Sequence, residues 1–315
     1  MGPSERTGAG LRAALGAQVT LPLFVAPMFL ISGPDLIIAA SRAGALSAFP
    51  SINARTPEDL AAWLARISDE TADGAPWGVN LIVHSSNARL DADLAATVAA
   101  KAPIVVASVG PPDKVAGPVH EYGGLVFSDV ATVRHARKAV AAGADGLILL
   151  TAGAGGNTGW LNPFAFVAEV RAFFDGPIAV AGAIGSGAAL FALEVLDVDL
   201  GYVGTPFIAT HESLAQPAHK DMVVKTGADG VALSDLVTGI PANFARESLI
   251  AEGIITADGE ALHTGALDIS SWKTVWSMGH GCGATTDLHA AADLIETYRA
   301  QWLKAAQIAR GRPAQ

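Results

Sequence analysis

The 315-residue chain carries a single cysteine, Cys282, so no internal disulfide framework can form and a reducing compartment suits it. No apolar run approaches the roughly 18–20 residues that a membrane-spanning helix requires. The opening residues, MGPSERTGAGLRAALG, lack the sustained apolar stretch of a secretory signal, and Pro3 makes Met-Gly a poor myristoylation context. Charge is scarce, at 16% of residues, and it is unbalanced: 20 Lys and Arg against 30 Asp and Glu give a net charge of −10. With no basic cluster, nucleic acid and anionic membrane are poor candidates as partners. The histidines fall at no metal-ligand spacing, HExxH is missing, and no carboxylates cluster, so no metal is expected. What remains is a cytoplasmic protein that handles a small molecule.

Apolar residues make up 51% of the chain. They recur as short runs, each followed in most cases by an Ala-rich amphipathic stretch. The runs are LPLFVAPM (21–28), GALSAF (44–49), WGVNLIV (77–83), PIVVAS (103–108), GLVFS (124–128), DGLILL (145–150), PIAVAG (177–182) and LGYVGT (200–205). Continuous apolar runs are the mark of parallel strands buried on both faces. PIVVAS leads into a Pro/Gly connection, and DVATVRHARKAVAAG reads as the helix after GLVFS. Eight strand-plus-helix units predict a (β/α)8 TIM barrel, with right-handed crossovers. A doubly wound sheet would place a glycine fingerprint after its first strand, and APMFLISG is not one. Residues 206–275 exceed one helix and read as an insertion after strand eight, mostly helical, lying over the barrel mouth. Residues 1–205 and 276–315 would form the barrel, closed by a helix at 287–307.

Barrels place their chemistry at the C-terminal ends of the strands. Those ends carry Ala26-Pro27-Met28, Asn80, Ser108, Ser128, the TAGAGGNTGW loop (151–160), Gly182-Ala183 and Gly204-Thr205. Glycines after strands six, seven and eight suit a phosphate held by backbone N–H groups, although any one of them alone reads as a tight turn. No lysine follows them, so this is not a P-loop. Neither a lysine nor an acid pair stands at a strand end, which argues against an aldolase-type barrel.

Taken in order, APM (26–28), AGALSAFPS (43–51), GVNL (78–81), AGAGGNTG (152–159), AGAIGSG, GTPFIATHES, TGIPANF (238–244) and WSMGHGCG (276–283) resemble the nitronate monooxygenases, formerly 2-nitropropane dioxygenases. The resemblance implies FMN in a TIM barrel. The phosphate would lie on Gly182, Ala183, Gly204 and Thr205. The ring would lie near Ala26, Pro27, Met28, Asn80, Ser128, Gly155 and Gly156.

Three positions depart from the family pattern. Its loop ends in a histidine that acts as base or substrate contact, and here the residue is Asn157, whose amide cannot take up a proton at useful pH. Pro206 stands where an arginine is usual, and His280 where a glutamine is usual. Either the imidazole has moved to His280 or His280 merely caps a helix, and both readings stand. Asn157 and His280 are the candidate catalytic residues. The implied activity is oxidation of alkyl nitronates with O2. The alternatives are an NAD(P)H-dependent FMN enoyl or quinone reductase, and a non-catalytic flavin-binding protein. A homodimer is compatible with any of them.

Overall fold

The computed structural model describes residues 15–262 and 274–311. The chain start read above, His263 and part of the 206–275 segment lie outside the described residues. Eight parallel strands close into a barrel: β1 (Leu23–Val25), β2 (Leu46–Pro50), β3 (Trp77–Ile82), β4 (Ile104–Ser108), β5 (Leu125–Val130), β6 (Gly146–Leu150), β8 (Ile178–Ala181) and β9 (Leu200–Val203). Closure is made by β1, which pairs with β2 on one side and with β9 on the other, through Phe24↔Tyr202. All eight apolar runs are strands, as their sequences predict.

Side chains alternate across each strand. Phe24, Leu46, Ala48, Ile104, Val106, Phe127, Ile148, Ala179 and Leu200 fill the interior. Phe24 meets Phe127 and Tyr202 edge to face, at 6.1 and 5.1 Å between ring centroids. The interior is therefore a packed core, and a ligand can enter only above it. The alternate positions, such as Val79, Leu81, Val105, Ala107 and Val126, pack outward on the helices.

The helices start where local chemistry says they should. Helix α1 (Pro34–Arg42) is followed by α2 (Pro57–Glu70), where Thr56 and Asp59 form a reciprocal capping box and Pro57 occupies the first turn. Helix α3 spans Leu90–Ala99. The Pro/Gly connection after β4 is itself a helix, α4 (Asp113–Glu121), because Val115, Ala116 and Val119 bury one face even with Pro118 inside. Helix α5 (Val133–Ala141) starts four residues later than its sequence suggested, because Asp129 and Val130 belong to β5. Helices α6 (Pro163–Arg171) and α7 (Gly187–Val195) follow β6 and β8.

After β9 come a single turn, α8 (Thr205–Ile208), then α9 (Pro217–Lys225), β10 (Val231–Ser234), β11 (Ala242–Ala245) and α10 (Arg246–Ala251). The insertion thus contains a hairpin as well as helices. Its strands pair with β7 (Gly156–Asn157), a two-residue strand within the glycine loop, in the order β10-β11-β7. The final helix, α11 (Ala291–Arg310), packs on α7. Gly187 permits that approach, since a Cβ there would collide with the Tyr298 carbonyl. No helix among the described residues is long and apolar enough to cross a membrane.

Candidate active site

At the C-terminal end of the barrel lies a cavity of about 580 Å3. Ala26, Pro27, Met28, Asn80, Gly155, Gly156, Asn157, Gly182, Ala183, Gly204 and Thr205 all line it. These residues come from the ends of four barrel strands, β1, β3, β8 and β9, and from the glycine loop after β6, so the closure of the barrel brings them together. Ser128 and His280 do not line it.

The glycine loop is held from two sides. Asn157 pairs with Ala242 and Gly156 with Asn243 in the small sheet. Asn243, buried within the hairpin, donates from Nδ2 to the Ala154 carbonyl at 2.7 Å. From the other side, the His280 N–H donates to the Gly153 carbonyl at 3.0 Å. The loop is thereby a fixed wall rather than a free flap. Asn243 has no distinctive sequence signal, and only the pairing of the hairpin with the loop identifies its role.

The turn after β8 offers the second wall. Gly182 has φ +133° and Ala183 φ +55°, the left-handed region that an alanine enters only at some cost. Such turns let successive backbone N–H groups converge on an anion. A Cβ on Gly155 would stand 2.7 Å from the Gly279 nitrogen, and one on Gly204 3.3 Å from Met28 Sδ. Thr205 Oγ1 accepts from the Gly279 N–H at 2.9 Å, locking the turn after β9 to the 277–281 segment. Backbone packed this closely excludes a Cβ at Gly155 and ties the glycine loop and the turn after β9 to the 277–281 segment; the left-handed turn at Gly182 and Ala183 is the part suited to an anion.

The β5 end corrects the sequence reading. Phe127 faces the interior, so the pleat turns Ser128 outward and Asp129 inward. Ser128 Oγ is buried without a hydrogen-bond partner, and it is Asp129 that lines the cavity. A chain of hydrogen bonds ends on this carboxylate. Asn80 Nδ2 donates to the Val106 carbonyl at 3.0 Å and to Ser108 Oγ at 2.6 Å, and Ser108 Oγ donates to Asp129 Oδ2 at 2.6 Å. Desolvation raises the Asp129 carboxyl from 3.8 to about 6, against the opposing pull of Ser108 and the Val109 N–H. Tyr202, also lining the cavity, is pushed well above its usual value by burial first and by the Asp129 charge second.

The raised carboxyl has a consequence for stability. The folded state binds more protons than the unfolded chain between about pH 4 and pH 6, so the favourable contribution is complete below pH 4 and lost as pH rises through 6. Flavin-free Asp129→Asn should therefore be more stable than the parent at pH 8, by about 1–2 kcal/mol once lost hydrogen bonds are allowed for. The gap should close as the pH falls to 4. Thermal unfolding at both pH values measures it, and an equal gap at the two would contradict the assignment.

His280 and the other histidines, cysteine and aromatics of this region separate by exposure. His280 is exposed, with its ring over Gly153 outside the cavity. His84 lines the cavity rim, its Nδ1 2.8 Å from Ser86 Oγ, and His211 is exposed outside it. Cys282 is buried with Met278 and Val223, and burial raises its thiol, as expected of an inert packing residue. Trp160 and Phe164 are exposed and lie outside the lining, whereas Phe166 is core. No group of three metal-ligating side chains comes together among the described residues.

Among the described residues, the cavity lining holds no lysine or arginine; its ionisable side chains are Asp129, Tyr202 and His84. Two curated relatives, from Mycobacterium tuberculosis and Rhodococcus jostii, share one name, (3aS,4S,5R,7aS)-5-hydroxy-7a-methyl-1-oxo-octahydro-1H-indene-4-carboxyl-CoA dehydrogenase. The first is 26% identical over 73% of this chain and 64% of its own length, so this chain spans under two thirds of it. The second is 24% identical over 88% of this chain and 80% of its own length. Among solved structures, a nitroalkane oxidase from Streptomyces ansochromogenes superposes with a TM-score of 0.79 at 23% identity, covering 95% of this chain and all of its own. The profile of the nitronate monooxygenase family matches residues 14–264. That match runs through all eight barrel strands, the glycine loop and the hairpin that holds it, and the chain belongs to the nitronate monooxygenase family, as a flavin-dependent oxidoreductase.

Proposed function

We propose that the flavin is FMN, and that the chain transfers electrons between it and a substrate whose reacting group is neutral. A carbonyl-activated double bond or a quinone, reduced with electrons from NADH or NADPH, is the simplest case. The observation that carries this reading is the charge of the cavity: among the described residues no cation lines it, and the one carboxylate that does, Asp129, faces inward. FMN itself adds a phosphate dianion near Gly182, Ala183, Gly204 and Thr205. A second anion is disfavoured beside these charges, since like charges placed together cost several kcal/mol. Asn157, fixed in β7 on the cavity wall, supplies what a neutral acceptor needs, a hydrogen-bond donor that polarises a carbonyl oxygen. The relatives named as dehydrogenases of a CoA ester support the same class, an acyl group activated by a thioester carbonyl.

Oxidation of alkyl nitronates is the second reading, and the family name favours it. A nitronate that arrives already ionised needs no base at position 157. It would still have to settle beside Asp129 without a cation.

Substitution separates the two. Asn157→Ala should lower kcat/KM for a neutral enone about a hundredfold, the usual loss of one oxyanion donor. His280→Ala should leave it within about twofold, because an exposed side chain outside the lining makes no contact there. If His280→Ala is the more damaging variant in steady-state assays, the relocated-imidazole reading replaces this one. Asn157→His restores a base and should raise turnover of a neutral nitroalkane, which must lose a proton, by a factor of about 100. No gain would mean that the nitronate chemistry is not latent in this cavity.

A further inference from the structure

We infer that Asp129 is the acid/base group of this site, with Ser108, Asn80 and Val109 as its positioning residues. The inference deepens the proposed function and rests on it for the identity of the hydride partner. Position 157 holds an amide and His280 faces solvent, so the two positions from which an imidazole was expected supply no proton carrier to the cavity. Asp129 is the carboxylate among the lining residues and sits on a rigid strand end rather than on a loop.

Its surroundings are built to hold it in one orientation. The Ser108 hydroxyl hydrogen is committed to Asp129 Oδ2, because Asn80 Nδ2 already donates to Ser108 Oγ. The titrating proton therefore belongs to the Asp129 carboxyl and is not passed down the chain. Val109, which turns its N–H toward the carboxylate, has φ +62°. For a β-branched residue that is a true outlier, costing on the order of 1–3 kcal/mol, and strain of this kind gathers at functional sites. The groups facing Asp129 are Ser108 and Val109 from the β4 end and Tyr202 from β9; His84 after β3 also lines the cavity, and no lysine or arginine does among the described residues. Its carboxyl titrates near 6, where a group can both take and give a proton at neutral pH.

The chemistry balances simply. In the oxidative direction a bound flavin would supply the acceptor for the hydride released when one bond to hydrogen in the substrate breaks. A second breaks as a proton taken by the Asp129 carboxylate, and its bonding pair closes the new double bond. In the reductive direction the protonated Asp129 returns that proton to the carbon or oxygen next to the one receiving hydride.

The test uses the purified flavin enzyme and its flavin-free form. Infrared difference spectra of the flavin-free protein, stepped from pH 8 to pH 4.5, should show a protonated-carboxyl band in wild type that Asp129→Asn lacks. Ser108→Ala should move its midpoint to higher pH, because the lost hydrogen bond favoured the ionised form. In the flavin enzyme, Asp129→Asn should lower kcat about a hundredfold with a smaller change in KM. It should also erase the fall in reduction rate as pH rises through the Asp129 titration, and Ser108→Ala should shift that fall in step with the infrared midpoint. An infrared band unchanged in Asp129→Asn, or a pH profile that neither variant alters, overturns the inference. If Asp129→Asn does not fold, the paired shift in Ser108→Ala decides alone. Protein that never binds FMN would sink the proposed function while leaving the infrared titration to judge Asp129.

Discussion

Thr205→Glu should purify as a folded barrel without flavin colour. Thr205 is 8% exposed and lines the cavity at the turn after β9, beside Gly182 and Ala183. A glutamate there places a carboxylate where the phosphate would rest. It also replaces a hydroxyl that accepts from the Gly279 N–H at 2.9 Å. Like charges brought together cost several kcal/mol, and about 4 kcal/mol is a factor near a thousand in affinity. Thr205→Ser keeps the oxygen and should stay yellow. The ratio of visible to ultraviolet absorbance reads flavin content, and circular dichroism checks the fold. Stoichiometric flavin in folded Thr205→Glu would move the phosphate away from this turn.

Arg171→Met should cost about 3–5 kcal/mol, a large part of the stability of an ordinary domain. Arg171, at the end of α6, donates to the Gly176 carbonyl at 2.6 Å, the Asp197 carbonyl at 2.9 Å and Asp199 Oδ2 at 2.7 Å. It thereby joins the entry to β8 with the entry to β9, the two strands whose far ends would carry the proposed phosphate site. Asp199 Oδ2 also accepts from the Ile178 N–H at 2.8 Å, so removing the guanidinium strands a buried carboxylate at that strand entry. Chemical denaturation at pH 7 measures the loss. The flavin should leave only as the fold does, unlike in Thr205→Glu. A loss below 1 kcal/mol would mean that solvent replaces the clamp.

These two substitutions fall on parts of the molecule that were unequally legible in the sequence. The barrel was legible because buried parallel strands write themselves as apolar runs, and all eight runs are strands. Glycine clusters announced close backbone packing at the barrel mouth, where a Cβ is excluded whatever the ligand. The β5 end was missed by one residue. Asp129 looks like a helix-starting acid, and a slip of one position along a strand exchanges the inner and outer faces, putting Ser128 where Asp129 belongs. That exchange hid the cavity's carboxylate. The small sheet was also hidden, because β7 has two residues and no periodicity, and its partner β11 reads as a loop until the two are brought together. His280 was singled out because it replaces the family's usual glutamine, but exposure is a tertiary property that its neighbours in sequence do not encode.

The most direct measurement is the absorption spectrum of the purified protein, kept anaerobic at pH 8, where Asp129 is ionised. NADPH, NADH and propyl-2-nitronate would be mixed in separately. The dihydronicotinamide ring is neutral and the nitronate is not. The expected result is an FMN spectrum bleached by a nicotinamide and left oxidised by the nitronate. Reduction by the nitronate, with neither nicotinamide effective, would contradict the neutral-substrate reading and return the chain to its family's named chemistry.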